Sequence, residues 1–94
     1  MKPTNEKELE WFINGVLSTC HLESENYGFY IVPLDNRFKV VFAKYKDKLV
    51  PSGVGDEKVN EPELIDEDHF TWLKSESIEK LRDYTEDIVK WLND

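Results

Sequence analysis

The stretch EPELIDEDH, from Glu61 to His69, gathers five carboxylates and one imidazole within nine residues. Such side chains could bind a metal ion, because Ca²⁺ and Mg²⁺ prefer oxygen ligands and Zn²⁺ prefers imidazole and thiolate. The spacing of Asp66 and Asp68 matches only the opening of an EF-hand loop, whose glycine and distal glutamate are missing. For Zn²⁺ the chain offers only Cys20, His21 and His69. The sequence therefore predicts no metal site.

Covalent catalysis would need a nucleophile beside a base, and Cys20 with His21 is the one adjacent pair of that kind. Neighbouring residues of a helix point about 100° apart, and a free cysteine is usually a buried apolar side chain. The glycines Gly53 and Gly55 lack the third glycine and the Lys-Ser/Thr ending of a phosphate-binding loop. We therefore expect no catalytic residue, no cofactor and no enzyme activity.

The charge and the cysteine content limit the possible partners and compartments. A net charge of −8 disfavours direct binding to nucleic acid, because such binding needs Lys and Arg to replace counterions. A single cysteine excludes an internal disulfide, as in most proteins of a reducing compartment. No run of about 18 apolar residues and no basic-then-apolar N-terminus is present. We predict a single cytoplasmic domain over residues 1–94 that does not contact a membrane.

The N-terminal region carries the spacing of an amphipathic helix. Its apolar residues recur three or four positions apart, at Leu9, Phe12, Ile13, Val16, Leu17 and Cys20. The stripe predicts a helix over residues 5–20, and Asn5 with Glu8 could form a capping box at its start. Gly15 interrupts this helix, so we expect another element to pass close to it.

A β-hairpin is predicted over residues 27–46, where two aromatic and β-branched runs flank Asp35 and Asn36, which tolerate the positive φ of a tight turn. That turn sets Phe29 opposite Phe42, Ile31 opposite Val40 and Pro33 opposite Phe38. The other side of the hairpin is then formed by Tyr30, Val32, Lys39, Val41, Ala43 and Tyr45. Pro33 lacks an N–H, so we expect the first strand to lie at a sheet edge.

The remaining chain is predicted as an acidic loop over residues 47–68, a strand over 69–74 and a helix over 76–93. A short strand or hairpin around Ser52 and Gly53 is an alternative for part of the loop. Phe70 and Trp72 are expected on the core side of the strand. The order α-β-β-loop-β-α predicts an α+β fold, with about three antiparallel strands flanked by the N-terminal and C-terminal helices.

The first functional hypothesis is a small non-catalytic domain that binds another protein. Trp11 lies nearly opposite the apolar stripe of its helix, so either another part of the chain covers it or it anchors a partner. The Tyr30 side of the hairpin is too apolar for water alone, so either a helix covers each sheet face or this face meets a partner. The candidate partner-binding residues are Trp11, Tyr30, Val32, Val41, Tyr45, Tyr84 and Trp91. The oligomeric state stays open.

The alternative is an acidic inhibitor that mimics nucleic acid and blocks a basic nucleic-acid-binding enzyme. In size and charge the chain resembles small bacterial immunity proteins and phage-borne inhibitors of restriction or CRISPR enzymes. The residues that would imitate phosphates are Glu61, Glu63, Asp66, Glu67, Asp68, Asp83 and Asp87. Residues 28–50 are net basic, however, so the acidic loop could instead fold back on the preceding strand.

Overall fold

The computed structural model describes residues 2–22, 26–51, 53, 55 and 57–94. Two helices enclose an antiparallel sheet of three strands in the order β1-β2-β3. The elements are α1 (Glu6–Thr19), β1 (Tyr27–Pro33), β2 (Arg37–Pro51), β3 (Lys58–Leu73) and α2 (Ile78–Leu92). The predicted α+β class is confirmed.

Both helices begin at side-chain caps that the sequence contains. The Asn5 side chain accepts the N–H of Glu8 at 2.9 Å, and Ser77 does the same for Lys80 at 3.3 Å. The Glu8 carboxylate accepts from the N–H of Thr4, one residue before the position of a capping box. The first helix is therefore confirmed nearly to its ends, and the second begins two residues later than predicted.

The register of the first hairpin is confirmed at every predicted pair, including Phe29 with Phe42 and Pro33 with Phe38. The N–H of Leu34 donates to Arg37 O at 2.9 Å and closes the turn. No non-glycine residue in the described part of the chain has a positive φ, so Asp35 and Asn36 do not use that freedom. Strand β1 is a sheet edge, as the position of Pro33 predicts.

The acidic loop predicted over residues 47–68 is wrong, because β2 and β3 continue through most of it as one long hairpin. The alternative of a short strand or hairpin around Ser52 and Gly53 is closer to this arrangement, but Ser52 itself lies outside the described residues. We call residues 45–51 and 58–65 the hairpin arm. Its strands pair from Tyr45 with Leu64 to Pro51 with Lys58, and Ile65 is the extra residue of a bulge. Lys46 and Lys48 lie 3.8 and 3.7 Å from the Glu63 carboxylate across the pair. Ion pairs between the two strands, rather than an alternation of apolar and polar residues, therefore accompany their pairing.

The arm gives the molecule an elongated shape. Residues 45–51 extend about 20 Å at the rise of an antiparallel strand. The molecule measures 56 × 27 × 18 Å, and its radius of gyration is 16.2 Å, against about 12 Å for a compact chain of this length. The arm therefore projects as a two-stranded ribbon from a compact body.

The core of the body lies between one face of the sheet and both helices. The sheet supplies Phe38, Val40, Phe42 and Trp72, and the helices supply Leu9, Ile13, Leu17, Leu81, Ile88, Val89 and Leu92. The predicted core position of Trp72 is confirmed, since its side chain is fully buried and its Nε1 donates to Ser77 O at 3.1 Å. Phe70 is half-buried beside this core. Because both helices occupy this face, no described helix covers the opposite one.

Candidate functional site

The face of the sheet turned away from the helices is apolar at its centre. Strand alternation puts Tyr30, Val32, Val41, Ala43 and Tyr45 on this side, as predicted. We call these five residues the outer face. Both helices pack against the other side, so the alternative in which a helix covers each sheet face is wrong.

The register shows how the outer face is built. Val41 is in the central strand between its neighbours Tyr30 and His69, and its side chain is buried without a helix above it. The Tyr45 ring lies across Gly28, where an added Cβ would approach its Cε2 to 3.8 Å. Tyr30 is 56% exposed. The outer face is therefore a preformed surface of two aromatic and three small apolar side chains.

Polar residues surround this centre. Lys39, Glu67, His69 and Thr71 alternate onto the same side of β2 and β3. An apolar centre with a polar rim is the usual composition of a protein-binding surface.

The outer face continues onto the hairpin arm through two leucines that sequence reasoning missed. Leu64 is the cross-strand partner of Tyr45 and is 51% exposed, and Leu49 is 63% exposed on the same side of β2. Both lie in the segment predicted as loop, which is why they were missed. Lys46 and Lys48 lie two positions apart, as residues on one side of a strand do, but only the register of both strands shows that Glu63 lies opposite them.

Trp11 is 79% exposed, so the alternative in which its own chain covers it is wrong. It stands at the rim of an open groove of about 650 Å³ between α1 and α2, lined also by Phe12, Val16, Arg82 and Glu86. The expectation that an element passes close to Gly15 is wrong too, since a Cβ there would meet nothing within 4 Å. This groove lies on the helix side, so Trp11 and the outer face cannot form one continuous contact.

Tyr84 and Trp91 are half-buried and help to attach α2 to the sheet. The Tyr84 ring lies 5.6 Å from that of Phe70, and its hydroxyl donates to Glu76 Oε2 at 2.7 Å. Lys44 Nζ lies 5.6 Å from the Trp91 ring centre. The two residues belong to neither the outer face nor the groove beside Trp11, and their predicted role in partner binding stays untested.

The hydrogen bond from the Tyr84 hydroxyl is the largest cause that lowers the pKa of Glu76, and the hydrogen bond from the N–H of Leu73 is the second. The bond between Tyr84 and Glu76 also raises the pKa of Tyr84. Glu76 therefore adds stability that is complete above its ordinary pKa and is lost as pH falls through the lowered value.

We expect Tyr84→Phe to move the pKa of Glu76 back up while the ring keeps its packing. A carboxyl NMR titration measures this, and Tyr27→Phe should leave Glu76 unchanged. An unmoved Glu76 in Tyr84→Phe would contradict the assignment.

The acidic residues do not share one surface. Glu61, Glu63 and Asp66 are the cross-strand partners of Lys48, Lys46 and Lys44. Glu67 alternates onto the opposite side of β3 from Asp66 and Asp68, while Asp83 and Asp87 lie one turn apart on α2. The predicted attraction between the acidic segment and the basic strand is confirmed at Glu63. Nucleic-acid mimicry stays a prediction, with three of its seven carboxylates opposite lysines.

His21 is exposed after the end of α1. Cys20 is half-buried against the core and His69 is exposed on β3. Among the described residues no group of three His, Cys, Asp or Glu side chains could hold a metal ion. No helix within the described ranges is long and apolar enough to cross a membrane.

Comparison with protein-family models, curated proteins and solved structures finds no match to this chain.

Proposed function

We propose that this chain is a small, non-catalytic, cytoplasmic domain that binds another protein through the outer face of its sheet. The observation that carries the proposal is the placement of both helices on one side of the sheet. On the other side Tyr30 and Tyr45 are exposed beside the buried Val41 and Ala43, with no described helix above them. An antiparallel sheet can have one face in water, but that face is then usually polar. Here its centre consists of tyrosine, valine and alanine.

The outer face has the properties of a contact that needs little rearrangement. Tyrosine offers a large area with few rotatable bonds, and it is frequent among the residues that dominate binding energy. Tyr30 and Tyr45 stand on paired strands rather than on loops, so little conformational entropy is lost when a partner docks. Leu64 and Leu49 extend the same contact along the arm.

The test uses a double variant, Tyr45→Ser with Leu64→Ser, which removes an exposed cross-strand pair and leaves the core intact. Purified wild-type and variant domains are immobilised and exposed to a lysate of the source organism, and the captured proteins are quantified by mass spectrometry. We expect the specific partner to fall by about tenfold or more in the double variant, because losing interface anchors costs about 2 kcal/mol or more.

Trp11→Ala is the matched control, since it removes an exposed aromatic side chain from the helix side. It should capture the partner as well as the wild type does. Equal capture by the double variant, or loss in Trp11→Ala alone, would overturn the outer face as the contact. Capture that collapses between low and high salt in every variant would instead favour the acidic inhibitor.

A further inference from the structure

The two edges of the sheet differ in how they are protected against pairing with another strand. On β3 the edge contains Pro62, a run of carboxylates and a bulge at Ile65, all of which discourage strand addition. Strand β1 has no charged residue from Tyr27 to Pro33, and its proline stands at the end. In the described part of the chain β1 pairs only with β2. Its outer side is therefore the unprotected edge.

The hydrogen bonds at the two ends of β1 determine which backbone groups face outward. The N–H of Leu34 donates to Arg37 O, and the N–H of Tyr45 donates to Asn26 O. In an antiparallel pair alternate residues bond across, so the even-numbered residues of β1 face β2. The N–H and C=O groups of Tyr27, Phe29 and Ile31 then point away from the sheet. They form one side of a ladder that has no second strand among the described residues.

The start of α1 runs beside this edge. Glu6 and Glu10, one helical turn apart, line a groove of about 260 Å³ with Phe29, Tyr30 and Ile31 of β1. We call this the edge groove. Both carboxylates are exposed, and neither has an ion-pair partner in the part of the chain that the structure describes. Two like charges one turn apart repel each other, so a cation between or opposite them is favourable.

We propose that an extended basic peptide binds in the edge groove as a fourth strand paired with β1. Backbone hydrogen bonds to Phe29 and Ile31 would supply the pairing, and Lys or Arg side chains would meet Glu6 and Glu10. Alternate residues of a strand are about 7 Å apart, close to the 5 to 6 Å between Cβ atoms one helical turn apart. A peptide with basic residues at every second position can therefore place one beside each carboxylate.

A second copy of this chain is a poorer occupant of the edge groove. Two-fold pairing of β1 with its own copy would bring a second Glu6 and Glu10 toward the first pair, where like charges repel. The edge groove shares Tyr30 with the outer face but contains neither Tyr45 nor Leu64. The variants that test the two contacts therefore change different residues, and either contact can fail without the other.

The probe is the peptide Lys-Val-Lys-Val-Lys-Thr-amide with fluorescein attached to its N-terminal amine, so that every lysine keeps its charge, and it is titrated with the intact domain by fluorescence anisotropy. We expect Glu6→Gln with Glu10→Gln to weaken its binding about tenfold, because two charged contacts are lost. Asp83→Asn with Asp87→Asn is the matched control, since it removes the same charge at the same spacing from α2, and it should weaken binding by less than about twofold. Equal losses in both variants would mean only non-specific attraction to an acidic protein, and would overturn the proposal.

The backbone pairing is tested separately. A peptide with N-methyl groups at the valines, or at the lysines in a second version, keeps every charge but removes the N–H donors on one side. One of the two versions should lose binding at least tenfold, because one set of donors faces β1. Amide hydrogen exchange of Phe29 and Ile31 should slow when the unmodified peptide is bound. Unchanged affinity of both methylated peptides would overturn the proposal, and so would amide exchange that slows only at outer-face residues. A dimer in sedimentation that the peptide dissociates would also overturn it, because the occupant of the edge groove would then be a second copy of the chain.

Discussion

Replacing Trp72 with alanine should lower the free energy of unfolding by about 3 to 5 kcal/mol. The side chain is fully buried, its ring centre lies 6.3 Å from that of Phe38, and its Nε1 donates to Ser77 O at 3.1 Å. Alanine would leave a cavity between sheet and helices and would remove the donor beside the N-cap of α2. Urea denaturation followed by far-UV circular dichroism measures the change.

Two further variants keep this prediction testable if the alanine variant does not fold. Trp72→Phe retains most of the volume and loses the indole donor, so it should cost about 1 to 2 kcal/mol. Trp11→Ala makes the same truncation as Trp72→Ala at a residue that is 79% exposed, and it should cost about 0.5 kcal/mol or less. Similar losses in both alanine variants would contradict the assignment of Trp72 to the core and of Trp11 to the surface.

Replacing Lys44 with methionine should lower the free energy of unfolding by about 2 kcal/mol. Lys44 Nζ donates to Trp91 O at 3.1 Å and to the main-chain O of Asp94 at 2.7 Å. Carbonyls at the end of a helix lack intrahelical partners and carry the negative end of its dipole, so a cation that binds them stabilises the helix end. Methionine keeps the apolar stem against the Trp91 ring and removes the charge and the donors. The loss should be visible as a lower midpoint in thermal and urea unfolding.

Lys46→Met is the control, because it makes the same change two residues further along β2. Lys46 has a 62% exposed side chain that is 3.8 Å from Glu63, so its loss should cost only about 0.5 kcal/mol. If the two substitutions cost the same, Lys44 does not hold the end of α2 on the sheet in the way described.

Local patterns were enough to predict the helices and the first hairpin. The stripe from Leu9 to Leu17 faces the core because a helix repeats every 3.6 residues, and Asn5 caps it because it precedes the first turn. The short turn between Pro33 and Phe38 allows few registers, and only one puts Phe29, Ile31, Val40 and Phe42 on a single side. Each of these features depends on residues close together in the chain.

The hairpin arm could not be predicted in the same way. Neither side of the arm packs against a core, so its strands carry no alternation of apolar and polar residues to mark them. What matches them is a ladder of opposite charges, Lys46 and Lys48 against Glu63, which needs the register of both strands before it becomes visible. Pro62 pairs with Asp47 inside β3, and its missing N–H is tolerated there because β3 is an edge strand.

The sequence by itself determined the α+β class, the Asn5 cap of the first helix, the register of the first hairpin and the two apolar sides of the sheet. Only the tertiary structure decided that both helices pack against the same side, because apolar residues lie on both sides of the sheet and local spacing does not say where each helix docks. That choice depends on how α1 and α2 pack against each other as well as on the sheet. It leaves Tyr30 and Tyr45 exposed on the outer face and sets Glu6 and Glu10 beside the open edge of β1.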